Sequence, residues 1–207
     1  ATAVIAQRWQ DVVFLHWETD ADLAARAMPP GTSVDLWDGR CFAGVVALRL
    51  GQQRLGPAPT PGLAFGEVNV RLYSVDAEGR HGVVFCAMDA GSLLAVTTAR
   101  VGMRLPYCWS RVEHSRTSDL TAYALQRRHP PMPRSAAPAR PRTELRVSHA
   151  PAPNEPTPLQ RWLTGRYGLH WSAWGRTWWA PVSTDVLWSP GVRALTGTPR
   201  LVRPAGR

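Results

Sequence analysis

The residues best suited to chemistry in this chain stand in one row. In Phe65-Gly-Glu-Val-Asn-Val-Arg-Leu-Tyr73, the period-two alternation of a β-strand sends Phe65, Glu67, Asn69, Arg71 and Tyr73 to one side and Val68, Val70 and Leu72 to the other. A carboxylate, an amide, a guanidinium and a phenol in line can hold a proton and grip an oxyanion. The pattern is equally that of a half-exposed strand whose polar side meets water, and alternation alone does not choose between the two. One class of reaction is excluded. All 24 basic residues are Arg, so the sequence offers no lysine ε-amine to condense with a carbonyl.

Other reactive constellations are missing. His16, His81, His114, His129, His149 and His170 show no spacing of two or four residues, so any metal site would have to come from distant positions. There is no Gly-x-Ser-x-Gly elbow, phosphate loop or dinucleotide fingerprint, and no cofactor or metal is expected. Cys41, Cys86 and Cys108 are odd in number and far apart, which suggests neither a disulfide framework nor a zinc ribbon.

The elements that must carry the row are mostly strands. Val12-Val13-Phe14-Leu15 reads as a buried strand closed by His16, a residue open to a structural or a ligand-facing role. Asp20 or Thr19 caps a short helix through Leu23 and Met28 that Pro29-Pro30-Gly31 ends. Asp38-Gly39, between Val34–Trp37 and Arg40–Leu48, is a type I′ hairpin signal. The strand at 65–73 should pair antiparallel with His81–Met88 across the turn Asp76-Ala77-Glu78-Gly79. Ser92 caps a helix to about Arg100, Leu105-Pro106 breaks it, and strands follow at Tyr107–Glu113, Thr121–Leu125 and Thr143–Val147. Thr157-Pro158-Leu159-Gln160 is a capping box with Pro at the first helical position.

With 207 residues, 44% hydrophobic and 19% charged, one barrel-sized domain over 1–190 is expected, with a Pro-rich excursion at about 129–158 and a basic tail at 191–207 that frays. No apolar run approaches the roughly 18 residues of a membrane helix, and no leader pattern is visible, so a soluble, cytoplasmic protein without membrane contact is expected. Residues 1–100 hold 8 Arg against 10 acids, and residues 101–207 hold 16 Arg against 5 acids. This asymmetry admits nucleic acid as a partner, since Arg161, Trp162, Arg166, Tyr167, Trp171, Trp174, Arg176 and Trp178 interleave cations and aromatics as single-strand binders do. No recognised module frames them. Assembly into a homo-oligomer stays open.

Taken in order, Phe14-Leu15-His16-Trp17, Asp38-Gly39, the row from Phe65 to Tyr73, Ala99-Arg100 and Leu105-Pro106-Tyr107 resemble the YqjF-like family of uncharacterised proteins, as do Trp162-Leu163 and Arg166-Tyr167. Gly165 departs from it where Glu is usual. That family is similar to acetoacetate decarboxylase, and the resemblance implies an α+β, mainly antiparallel, closed or nearly closed β-barrel around a small-molecule pocket. In the decarboxylase, a lysine within Gly-Arg-Glu-x-x-Gly-x-Pro-Lys-Lys forms the imine. Laid against that motif, Arg100 and Pro106 keep their spacing, Val101 replaces the Glu, Arg104 replaces the second Gly, and Tyr107 and Cys108 fall where the lysines belong.

The resemblance therefore implies a place rather than a reaction. Glu67, Arg71, Tyr107 and Arg100 are the candidate reacting groups, with His16, Asn69, Tyr73 and Cys108 lining the ligand site. Inside a barrel, desolvation raises the Glu67 pKa unless Arg71 or Arg100 holds the carboxylate ionised. Raised, it is a general acid or base; paired, it orients an arginine or fixes strand register. Tyr107 is suited to donate to a carbonyl oxygen or to pack a core, and Cys108 reads as an inert thiol. Three functions stay open: an acid/base lyase, isomerase or cyclase, a non-catalytic small-ligand binder, and the nucleic-acid binder.

Overall fold

One sheet carries seven of the eight candidate site residues, all but Arg100. The computed structural model describes residues 5–55, 58–60, 64–128, 142–149, 155–166 and 168–181. Its strands are β1 (Ile5–Thr19), β2 (Thr32–Val34), β3 (Cys41–Leu55), β4 (Ala58–Thr60), β5 (Phe65–Asp76), β6 (His81–Ala90), β7 (Tyr107–Arg116), β8 (Leu120–Arg127), β9 (Arg142–Ser148), β10 (Gly168–Ala173) and β11 (Arg176–Pro181). Three helices, α1 (Ala21–Ala25), α2 (Leu93–Met103) and α3 (Pro158–Thr164), interrupt them. The main path runs β1-β3-β5-β6-β7-β8-β9. Its ladders are antiparallel except β6 with β7, and α2 supplies the crossover that a parallel pair requires.

The sheet curls until its far end returns to its start. Tyr123 of β8 and Val147 of β9 pack with Val13 and Ala47, and the Tyr123 hydroxyl donates to the Asp11 carbonyl at 2.7 Å. The result is a mostly antiparallel, nearly closed barrel with a few short helices, as the resemblance implies. The putting-together of residues 191–207 and of the Pro-rich stretch between 129 and 141 lies outside the described residues.

Local chemistry sets the helix ends. Asp20 accepts from the Leu23 N–H at 2.9 Å to start α1, which tightens to i→i−3 bonds at Ala27 and Met28 because the following prolines disfavour helix. It is thus shorter than its sequence suggests. Ser92 caps α2, which runs to Met103 and stops at Arg104 in left-handed backbone just before Pro106. The capping box of α3 is complete: the Thr157 hydroxyl accepts from the Gln160 N–H, and the Gln160 side chain accepts from the Thr157 N–H.

Two hairpins differ from expectation. Asp38 and Gly39, with φ of 50° and 72°, form the type I′ turn, but the ladder beyond it is the single bridge Trp37–Arg40. β2 pairs instead with the end of β5, and β3 lies between β1 and β5, because the long apolar β3 buries more surface there than beside a three-residue strand. The second hairpin, β10–β11, turns on Trp174-Gly175 and was hidden in the sequence by its tryptophans.

On β5 the usual sense of an amphipathic strand is inverted. Glu67, Asn69, Arg71 and Tyr73 are at most 5% exposed, while Val68 and Val70 on the other face are half-buried. The polar row faces the interior. Close approach elsewhere on β5 requires glycine: a Cβ on Gly66 would meet Val112 Cγ1 at 2.6 Å. Gly66→Ala is expected to lower stability by about 1–3 kcal/mol. Combining it with Val112→Ala should recover part of that loss in urea unfolding, and strict additivity would contradict the contact.

Candidate functional site

Register brings the site together from five strands. On β5, Glu67 lies between Leu48 and Ala90, Asn69 between Val46 and Met88, and Arg71 between Gly44 and Phe85. A bulge at Cys86 shifts the β5–β6 register and places Phe85, rather than Cys86, opposite Arg71. On the far side, His16 of β1 pairs with Gly44 of β3. Gly44 is why three side chains meet there, since a Cβ would lie 3.1 Å from His16 Cδ2, 3.2 Å from the Tyr73 hydroxyl and 3.3 Å from Arg71 Cγ. β7 enters beside β6 with Tyr107 in register with Met88.

These side chains form one hydrogen-bonded line. Arg71 Nε donates to Asn69 Oδ1 at 3.2 Å, Asn69 Nδ2 donates to Glu67 Oε1 at 3.1 Å, and the Tyr107 hydroxyl donates to Glu67 Oε2 at 2.9 Å. The Arg71 guanidinium lies 5.8 Å from the ring centres of Phe14 and Phe85. Its Nη2, and His16 Nε2, are buried with no hydrogen-bond partner among the described residues. The Tyr73 hydroxyl donates to the Leu163 carbonyl of α3 at 2.9 Å, which ties the helix over this end of the row. Trp162 packs its ring 5.1 Å from Tyr73, and Arg166 lies over Trp162 while pairing with Asp35 at 2.9 Å.

Burial sets the electrostatics. It pushes the Glu67 carboxyl above the ordinary carboxylate range, against the pull of the Asn69 and Tyr107 hydrogen bonds and of Arg71. The Arg71 guanidinium is pushed down by the same desolvation. Burial, with the Glu67 charge behind it, drives the Tyr107 phenol upward, so this hydroxyl is a neutral donor and not a nucleophilic phenolate. His16 is lowered to about 4 by burial and then by Arg71, which makes its ring neutral. The arrangement thus holds a proton-accepting carboxyl, a neutral donor and two unused nitrogens on one buried face.

Of the eight candidate residues, Glu67, Asn69, Arg71 and Tyr107 are joined directly, and His16 and Tyr73 sit beside them. Cys108 is not: it alternates to the other face of β7, in register with Asp89, and burial raises its thiol. Arg100 belongs to α2, and the arginine whose charge acts on Glu67 is Arg71. The run of arginines and tryptophans near the C-terminus is split, because Trp162 and Arg166 turn inward whereas Trp174 and Trp178 are exposed. Gly44, Phe85 and the seating of α3 over the row were missed. Only the lone glycine inside an apolar strand could have flagged the first. Among the described residues, no group of three or more His, Cys, Asp or Glu side chains is placed to hold a metal ion.

A family model described as an uncharacterized conserved protein, DUF2071, matches residues 6–188. The chain belongs to the DUF2071 family. The uncharacterized protein YqjF of Bacillus subtilis (strain 168) is 31% identical over 169 residues, spanning 81% of this chain and 67% of that protein. The enduracididine biosynthesis enzyme MppR complexed with pyruvate shares the fold with a TM-score of 0.58 at 19% identity, over 92% of this chain and 76% of that one. An acetoacetate decarboxylase-like enzyme from Sphingomonas wittichii RW1 reaches 0.53 at 14% identity, over 79% and 64%. This DUF2071 chain therefore has the acetoacetate decarboxylase-like fold that the motifs imply.

The two perturbed groups have opposite linkage to pH. The folded His16 value, about 4, lies below the ordinary 6.5, so its contribution to stability is complete above 6.5 and is lost as pH falls toward 4. Glu67, raised in the fold, favours folding at low pH and loses that contribution as pH climbs through its folded value. His16→Gln should flatten the acid limb of urea-midpoint stability between pH 6.5 and 4, and Glu67→Gln should flatten the slope above pH 4.5. Unchanged limbs would contradict the burial of these groups.

Proposed function

We propose that this DUF2071 chain is a small-molecule-pocket protein that binds a carbonyl- or carboxylate-containing metabolite and acts on it by acid/base chemistry without a Schiff base. The observation that carries this reading is the buried Tyr107–Glu67–Asn69–Arg71 line ending in an unused arginine nitrogen. Pyruvate bound in MppR supports the ligand class. Arg71 Nη2 and the neutral His16 ring would hold an oxyanion or carboxylate. Glu67, with its raised affinity for a proton, would take one from the carbon beside a carbonyl. As the carboxyl is protonated its acceptor strength falls, and the Tyr107 hydroxyl is free to turn to the developing enolate oxygen. Enolisation, dehydration or cyclisation all fit this sequence of proton movements.

The same line also fits a binder that never turns its ligand over, because Glu67 is only 5% exposed and its carboxylate is already satisfied twice. Two measurements separate these. Incubation with pyruvate or acetoacetate followed by borohydride should add no mass to an internal residue, and a stable adduct would overturn the absence of an imine. In D₂O, the wild type should exchange the methyl protons of pyruvate, while Glu67→Gln should lose at least about 100-fold in exchange rate with binding kept. Binding without exchange in the wild type would favour the binder.

A further inference from the structure

Four described non-glycine residues have positive φ, and two of them touch. Arg104 (φ 54°) ends α2, Trp174 (φ 52°) opens the β10–β11 turn, and the Arg104 guanidinium lies 5.8 Å from a ring centre of Trp174. Left-handed backbone disfavours any residue with a Cβ, and glycine would have been free of that cost at both positions. Elements far apart in sequence thus each accept strain at the residue by which they meet. Strain of this kind is retained where the side chain has work that glycine cannot do.

A cleft of about 240 Å³ opens beside this contact. It occupies a gap along β6, where registered pairs with β10 stop at Val83 and those with β7 begin at Met88. Met28, Phe85, Leu105 and Pro106 give it apolar walls, and Arg104 and Trp171 also line it. The Trp171 indole nitrogen is buried with no hydrogen-bond partner among the described residues. His170, also in the wall, brings no spare nitrogen, since Ser74 lies 2.9 Å from one and Asp76 3.2 Å from the other. Phe85 is common to both sites, because its ring also lies 5.8 Å from the Arg71 guanidinium.

We propose that this cleft is a second ligand subsite, which takes an apolar body bearing a carboxylate and holds the anion between Arg104 and the Trp171 N–H. Trp174 fixes the guanidinium by its face and leaves the N–H edge to the carboxylate. Across Phe85 the cleft adjoins Arg71, so it receives the distal end of a molecule whose reacting end is at Glu67. That last clause rests on the function proposed above.

The probes are 3-phenylpropionate and its neutral amide, titrated into the full chain by calorimetry. The wild type should bind the acid at least about tenfold more tightly than the amide, a typical worth for one charge-assisted contact of this type. Arg104→Gly, which relieves the left-handed strain and keeps the backbone, should erase that preference. The acid should also shift the Trp171 indole resonance, assigned by its absence from Trp171→Phe. A preference that survives in Arg104→Gly, an unmoved Trp171 resonance, or a wild type that binds neither probe would overturn the subsite. None of these readouts requires turnover. Absent exchange into pyruvate would count against Glu67 as a base and leave the cleft result standing.

Discussion

A carboxylate and a guanidinium on one strand, both withdrawn from water, are the constraint to which the surrounding structure answers. Either charge left alone in the interior would cost several kcal/mol. The chain meets this with a line of donors and acceptors running from Arg71 through Asn69 to Glu67, closed by Tyr107. Each partner imposes its own demand. The guanidinium needs rings at its faces, so β6 bulges to bring Phe85 opposite it. The crowding of His16, Arg71 and Tyr73 needs a bare backbone, so β3 has Gly44. Tyr107 must enter from β6's other edge, and that needs the α2 crossover.

The amide between the charges decides how much of the arginine is left over. A direct Arg–Glu fork would satisfy both groups and leave a structural ion pair. With Asn69 interposed, Arg71 uses Nε toward the amide and Nη2 remains unspent. The carboxylate likewise receives two neutral donors instead of a cation. That choice sacrifices some neutralisation and keeps Glu67 prone to protonation, which explains why its pKa direction follows burial and not pairing. Where the resemblance to acetoacetate decarboxylase implies an amine, this chain has a phenol whose proton is already committed to the carboxylate.

What the sequence reveals is what is local. Caps at Asp20, Ser92 and Thr157, the Asp38-Gly39 turn and the stop before Pro106 all act through neighbours a few residues away, and each is readable by type. Which face of β5 is buried is not local. Period-two alternation sorts Glu67, Asn69 and Arg71 together but assigns polar groups to water by default, and only partners from β1, β6 and β7 reverse that assignment. The resemblance pointed inward correctly. It placed Cys108 with the others because spacing along a chain does not say which side of β7 a residue occupies, and Arg100 because spacing does not say which way α2 turns a side chain. Trp162 looked like part of an exposed cationic stripe until α3 turned it onto Tyr73.

The inverted strand has a further effect on fidelity of assembly. Slipping β5 by one position would send its ionisable groups outward and bring Val68 and Val70 to the interior face, where the Tyr107 hydroxyl would lose its acceptor and the Phe14 and Phe85 rings their guanidinium. A slip of two would keep the sidedness but lose the match to the bulge, leaving Arg71 beside a different β6 residue and no ring. An ordinary apolar strand tolerates such errors because one aliphatic contact resembles another. This one does not, so its charged row works as a proofreading element that admits a single alignment of the central strands.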